Sequence, residues 1–192
     1  MTQALLAWLT AALQQSFWMR WLLANTLGWS LALYAGAITA DLLGGLPVLA
    51  LLLGGFITGI IAGGAQMIAL RVFGDISARW YAMSALGGVL GAVAVFPALF
   101  VLIIGRGPGF ALMGGLFGLC FGGVQALALD APPAEIIIWW GLANLLAGCA
   151  CGWLALGVTP FGLPVLCSGG PLIFGAITGL AWREILRAEI DG

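Results

Sequence analysis

The chain has 192 residues, 63% of them hydrophobic and only 7% charged, with a formal net charge of −1 and a mean hydropathy of +1.17. Soluble domains carry about a quarter charged residues, so a surface this poor in charge cannot be kept in water, and a lipid bilayer is the solvent it fits. Every basic residue is Arg, there is no His, and no basic patch exists for nucleic acid.

Residues 1–16 have no positively charged start of the kind a cleaved signal peptide needs. Gln3, Thr10 and Gln14 fall at helical spacing, with Leu5, Trp8, Leu9 and Leu13 elsewhere around the helix. The expectation is an interfacial helix leading into the first span; a frayed extension of that span is the alternative. Six apolar runs then follow that can cross a bilayer, at about 20 residues per crossing: 18–40, 46–70, 80–104, 109–129, 136–158 and 163–183. The breaks between them carry turn chemistry: Gly44-Gly45-Leu46-Pro47, Gly74-Asp75, Gly105-Arg106-Gly107-Pro108-Gly109, Asp130-Ala131-Pro132-Pro133 and Thr159-Pro160-Phe161-Gly162. Pro97 lies inside the third run and is expected to kink it.

The runs repeat in pairs. Trp21-Leu-Leu-Ala-Asn25-Thr-Leu-Gly28 recurs as Trp80-Tyr-Ala-Met-Ser84-Ala-Leu-Gly87 and as Trp140-Gly-Leu-Ala-Asn144-Leu-Leu-Ala147. In the second helix of each pair, Gly55, Gly59, Gly63 and Gln66 correspond to Gly114, Gly118, Gly122 and Gln125. The third copy keeps Gly175 and Gly179 and puts Trp182 where the others have Gln. The even-numbered helices also open alike, Gly45-Leu46-Pro47-Val48-Leu49 matching Gly162-Leu163-Pro164-Val165-Leu166. The fold class expected is an all-α membrane protein: a single transmembrane domain over 1–192, with hairpin repeats at about 17–75, 76–133 and 134–187. Because each copy crosses twice, all copies enter from the same face, and a pseudo-threefold bundle about the membrane normal is predicted.

Arg20, Arg71, Arg79, Arg183 and Arg187 fall on the side that holds both termini, while Arg106 and Asp41 fall on the other. This asymmetry places both termini in the cytoplasm. Trp18, Trp21, Trp80, Tyr81, Trp139, Trp140 and Trp182 lie near the same face and are expected to sit at the headgroup boundary.

Gly55, Gly59 and Gly63 form one stripe down a helix, as do Gly114, Gly118 and Gly122, with Gly175 and Gly179 as the third. Stripes of this kind let helices approach closely, or leave a gap that admits a lipid, pigment or substrate. Asn25, Gln66, Ser84, Gln125 and Asn144 all fall at one level, roughly 6–8 Å inside the boundary at about 1.5 Å per residue. Such a layer is either hydrogen-bonding glue between helices or a candidate binding site for the head of an amphipathic ligand, including a pigment magnesium held by amide oxygen. Cys120, Cys149, Cys151 and Cys167 lie in apolar runs and are read as small fillers; Cys149 and Cys151, two apart, point to nearly opposite sides.

All seven carboxylates lie at ends or in loops, no imidazole exists, and no nucleotide-binding loop, serine elbow or zinc-protease motif is present. Catalysis and metal binding are therefore not expected. The runs Trp21-Leu-Leu-Ala-Asn-Thr-Leu-Gly-Trp29, Gly63-Gly-Ala-Gln-Met-Ile-Ala-Leu-Arg71 and Gly175-Ala-Ile-Thr-Gly-Leu-Ala181 resemble a group of glycine-rich tandem-repeat membrane proteins of cyanobacteria and Chloroflexus-type bacteria. The pattern of that group is Gly-x-x-Gln-Trp-Leu-x-Leu-Arg followed by Trp-x-Leu-Ala-Ser/Asn-x-x-Gly-Trp. This chain departs from it at Met67, at Asp130 and in the third copy, which lacks the Gln. The resemblance implies a multi-pass protein of a bacterial inner, intracytoplasmic or thylakoid-type membrane, and no catalytic residues.

Three functions are compatible with these features. The first is an accessory subunit packed against other membrane subunits of a larger respiratory or photosynthetic complex. The second is a small transporter or substrate-binding component. The third is a pigment- or lipid-binding protein using the amide layer or the aromatic residues Trp29 and Trp153.

Overall fold

A computed structural model describes residues 17–71, 78–98, 106–129, 134–154 and 169–191. All regular structure among them is helical: α1 (Phe17–Leu42), α2 (Pro47–Leu70), α3 (Ala78–Ala98), α4 (Arg106–Ala126), α5 (Ala134–Leu154) and α6 (Gly169–Asp191). Five of these helices are long and apolar enough to cross a membrane; in α6 the apolar part is the shorter stretch Gly169–Trp182. The interfacial helix expected over 1–16 and the breaks expected at Gly74-Asp75, at Asp130-Ala131-Pro132-Pro133 and at Thr159-Pro160-Phe161-Gly162 lie outside the described residues.

The boundaries correct the sequence-based spans in several places. The stretch read as a turn at 105–109 is already helical from Arg106, because Pro108 falls in the first turn, where its missing N–H breaks no helical bond. The fourth helix stops at Ala126, and Ala128 N–H donates back to the Gln125 carbonyl (2.9 Å) in a tight turn. The sixth helix is described from Gly169, residues 163–168 of the expected span lying outside the described residues, and it continues beyond the apolar run to Asp191. Its last turns contain Glu184, Leu186, Arg187 and Ala188, good helix formers that a hydropathy boundary ignores. α3 runs unbroken through Pro97 to Ala98. α2 opens on Pro47, and Ala50 N–H bonds the Leu46 carbonyl (2.9 Å).

Each helix packs on its successor, and α6 packs back on α1. Neighbours run antiparallel: Gly28 lies against Ala62 and Ala65 while Gly36 lies against Thr58, and Gly87 lies against Phe121 while Gly91 lies against Phe117. The glycine stripes make a second kind of seam. A methyl added at Gly55 would strike the Gly88 backbone, one at Gly59 the Ser84 and Ala85 backbone, and one at Gly63 the Ser84 side chain, so the α2 stripe faces α3. The α4 stripe faces α5 in the same way, with Gly114 on Gly148 and Gly118 on Asn144. Gly175 and Gly179 of α6 meet Asn25, Trp18 and Trp21 of α1. Without side chains between them the backbones come into direct contact, and dispersion along the seam replaces a hydrophobic force that lipid cannot supply.

The polarity is arranged as a bilayer demands. Leu27, Leu31, Leu42, Ile68, Leu146 and Leu180 are exposed, whereas Asn25, Gln66, Ser84, Gln125, Asn144 and Thr178 have no exposure at all. In hydrocarbon, polar groups must be satisfied inside the protein, and apolar side chains face outward at no penalty.

Candidate functional site

The interior is layered along the bundle. Trp21, Trp80, Trp140 and Trp182 pack together at the end holding the start of α1, with Ala69, Leu70 and Ala126. Their rings meet at centroid distances of 5.2 Å (Trp140–Trp182), 5.9 Å (Trp21–Trp140) and 6.2 Å (Trp80–Trp182). This overturns the headgroup placement of these residues: all but Trp182 are 1% exposed or less, and Trp182 is 6% exposed. The reason is periodicity. Trp21 lies one turn from Asn25, Trp80 from Ser84 and Trp140 from Asn144, so each shares the face that carries the inward polar group. Trp139, on the neighbouring face, is 65% exposed and Tyr81 is 37% exposed, as the boundary role requires.

One turn deeper lies the polar layer. Asn25 Nδ2 donates to the Trp21 carbonyl (2.9 Å), and its Oδ1 accepts from Gln66 Nε2 (2.8 Å). Gln125 Nε2 donates to Gln66 Oε1 (2.7 Å) and to Ser84 Oγ (2.8 Å). Ser84 Oγ in turn donates to the Trp80 carbonyl (2.8 Å), and Asn144 Nδ2 to the Trp140 carbonyl (2.8 Å). Thr178, which the sequence reading missed, belongs to the same layer: its hydroxyl accepts from Trp21 Nε1 (3.1 Å) and donates to the Phe174 carbonyl (2.8 Å). Its signal was available, since Thr178 lies four residues from both Phe174 and Trp182 on one helical face. The structure thus unites Asn25, Gln66, Ser84 and Gln125 in one network, with Asn144 seated against Gly122 beside it. Most of its groups bond one another, which is the arrangement of glue between helices.

Beyond the amides lies an aromatic layer. Trp29 packs on Phe174 (4.7 Å), Phe121 (5.0 Å) and Phe117 (6.0 Å), with Ala32, Ala62 and Ala147 filling the gaps. Trp153, the other aromatic candidate, is 58% exposed and lies apart from it.

On the far side of this layer lie two partly open apolar hollows. A cavity of about 280 Å³ is bounded by Trp29, Phe110, Met113, Phe117, Cys151 and Phe174, among others. A second of about 450 Å³ adjoins it between α1, α2 and α3, the two sharing Thr58 and Phe117 as walls. The first is walled by α1, α2, α4, α5 and α6, and its polar wall groups are few: Thr58, whose hydroxyl lies 3.5 Å from the Ala32 carbonyl, and Cys151, whose thiol donates to the Gly170 carbonyl (2.9 Å). A water in bulk occupies about 30 Å³, so the space is many times larger than one water and offers it few partners. Cys120, Cys149 and Cys151 are free thiols, Cys149 fills the space beside Gly115, and Cys167 lies outside the described residues. Among the described residues no group of His, Cys, Asp and Glu could hold a metal ion.

These features define a helical, multi-pass membrane protein with a sealed polar layer and an apolar hollow. Comparison with family models, with curated proteins and with solved structures finds no match.

Proposed function

We propose that this is a non-catalytic integral membrane protein whose hollow receives a neutral, apolar ligand, making it a substrate-, pigment- or lipid-binding membrane component. The cavity beside Trp29 and Phe174 carries this reading. It is apolar, aromatic-lined and close to the lower end of the ligand-pocket range of about 300–1,000 Å³. Among the described residues its wall carries no charge to hold an ion and few groups to hold a sugar or amino acid. The amide layer is the weaker candidate, because Asn25, Gln66 and Ser84 spend their polar atoms on neighbours.

In this reading the chain crosses the membrane six times as three hairpins about a pseudo-threefold axis. The support is that each glycine stripe faces the first helix of the next hairpin: α2 on α3, α4 on α5, α6 on α1. The apolar stretch Gly169–Trp182 lies antiparallel to α1 along the same depth, Gly175 against Asn25 and Gly179 against Trp18. Both termini are cytoplasmic by the arginine distribution, in a bacterial inner, intracytoplasmic or thylakoid-type membrane. The motif resemblance to the glycine-rich tandem-repeat group belongs to the same reading.

Extraction in a gentle detergent, followed by mass spectrometry and an absorption spectrum of the organic extract, tests the proposal. A stoichiometric apolar compound that raises the melting temperature when restored supports it. A protein without bound compound, unmoved by apolar additives, overturns it.

The accessory-subunit reading is favoured by a different feature, an outer groove of about 600 Å³ between α5 and α6 along Trp139, Leu142, Leu146, Ile177 and Leu180. The glycine seams do not favour it, because they are occupied within the chain. Comigration with a larger respiratory or photosynthetic assembly on native gels distinguishes this role.

A further inference from the structure

The orientation of each amide in the polar layer follows from a fixed starting point. The Trp21 carbonyl can only accept, so Asn25 presents Nδ2 to it and offers Oδ1 to Gln66 Nε2. Gln66 Oε1 then faces Gln125 Nε2, which also donates to Ser84 Oγ. The relay ends on Gln125 Oε1, an acceptor that is fully buried and has no partner among the described residues. A shorter relay starts on the Trp140 carbonyl, passes through Asn144 Nδ2 and ends on Asn144 Oδ1, equally buried and equally unpaired. The Asn144 amide rests on Gly122, one turn from Gln125 on the same face of α4.

The repeat shows what these oxygens would accept from. In the second hairpin the Gln125 amide nitrogen serves two oxygens, one on the preceding hairpin (Gln66) and one on its own (Ser84). The third hairpin has Trp182 in that register. By the same rule, an amide nitrogen there would serve Gln125 Oε1 and Asn144 Oδ1, which are the two acceptors left over. The indole N–H groups of Trp182, Trp80 and Trp140, in the tryptophan cluster one turn away, are also without partners among the described residues. Buried acceptors and buried donors, each without a partner, call for a molecule that both donates and accepts.

We infer that a single ordered water takes the place of the missing third amide nitrogen. It donates both protons, to Gln125 Oε1 and Asn144 Oδ1, and accepts from the Trp182 indole N–H. Three bonds to otherwise unsatisfied groups is the usual complement of a buried water. The inference rests on the repeat reading of the hairpins, and on neither the cavity nor its ligand.

An experimental density map that resolves ordered waters tests it. The expected result is a peak within hydrogen-bonding distance of both oxygens. A map in which protein donors, such as Trp182 Nε1, meet those oxygens directly, or in which no peak stands there, overturns it. If the Gln125 bonds to Gln66 and Ser84 are present in that map, the repeat reading stands whatever the fate of the water. If they are missing, the repeat reading and the water fall together. In the Trp182→Gln variant the peak should vanish as the introduced amide takes its place, whereas Trp182→Phe, which leaves both acceptors in need of a donor, should retain it. A peak that persists in Trp182→Gln also overturns the inference. If either variant fails to fold, the wild-type map decides alone.

Discussion

Gln125 Nε2 lies 2.7 Å from Gln66 Oε1, although the two residues are 59 positions apart in the chain. The bond joins α2 to α4, two helices separated in the chain by α3. Neither residue has any exposure, so removing one leaves its partner buried without that bond.

Replacing Gln125 by Leu should therefore destabilise the protein by about 1–3 kcal/mol, because Gln66 Oε1 loses its donor in an apolar setting. The Gln66→Leu,Gln125→Leu double variant should lose less than the sum of the single variants, since it no longer strands one end of their shared bond. Unfolding in mixed detergent micelles measures both; strict additivity would show that the bond carries no coupling.

The glycine seams make a paired prediction on α4. Gly118→Val drives a side chain into the Asn144 backbone and should cost more than about 3 kcal/mol or prevent folding. Gly123, with nothing within 4 Å of an added Cβ, should accept Ala with a gain of up to about 1 kcal/mol from reduced unfolded-state freedom. Melting temperatures of the purified variants decide.

Adjacent tryptophans on α5 should differ as sharply. Trp140→Ala empties the centre of the tryptophan cluster and should destabilise by about 3–5 kcal/mol. Trp139→Ala removes an exposed ring and should cost less than about 1 kcal/mol. Equal losses at the two positions would contradict the inward rotation of α5.

Orientation can be read from two single substitutions. A cysteine at Gly192 should react with a membrane-impermeant thiol reagent only from the cytoplasmic side of oriented vesicles. A cysteine at Gly45, exposed in the α1–α2 turn, should react only from the opposite side. Reversed labelling would invert the topology inferred from the arginines.

Read alone, the sequence determined the solvent, the helices and the depth of the polar groups. Charge content and run length are local quantities, and the rise per residue places Asn25, Gln66, Ser84, Gln125 and Asn144 at one level before any contact is known. It also located the glycine stripes and left open whether they pack against helices or admit a ligand, because a residue without a side chain offers a neighbour only its backbone. Tertiary structure alone decided how each helix is rotated and what it faces. Trp21, Trp80, Trp140 and Trp182 turn inward as a cluster instead of meeting the headgroups, and this follows only once the faces bearing Asn25, Ser84 and Asn144 are pressed together. The hollow beyond Trp29 belongs to no single segment either. Its walls come from five helices, α1, α2, α4, α5 and α6, and the spacing between helices is not written in any one of them.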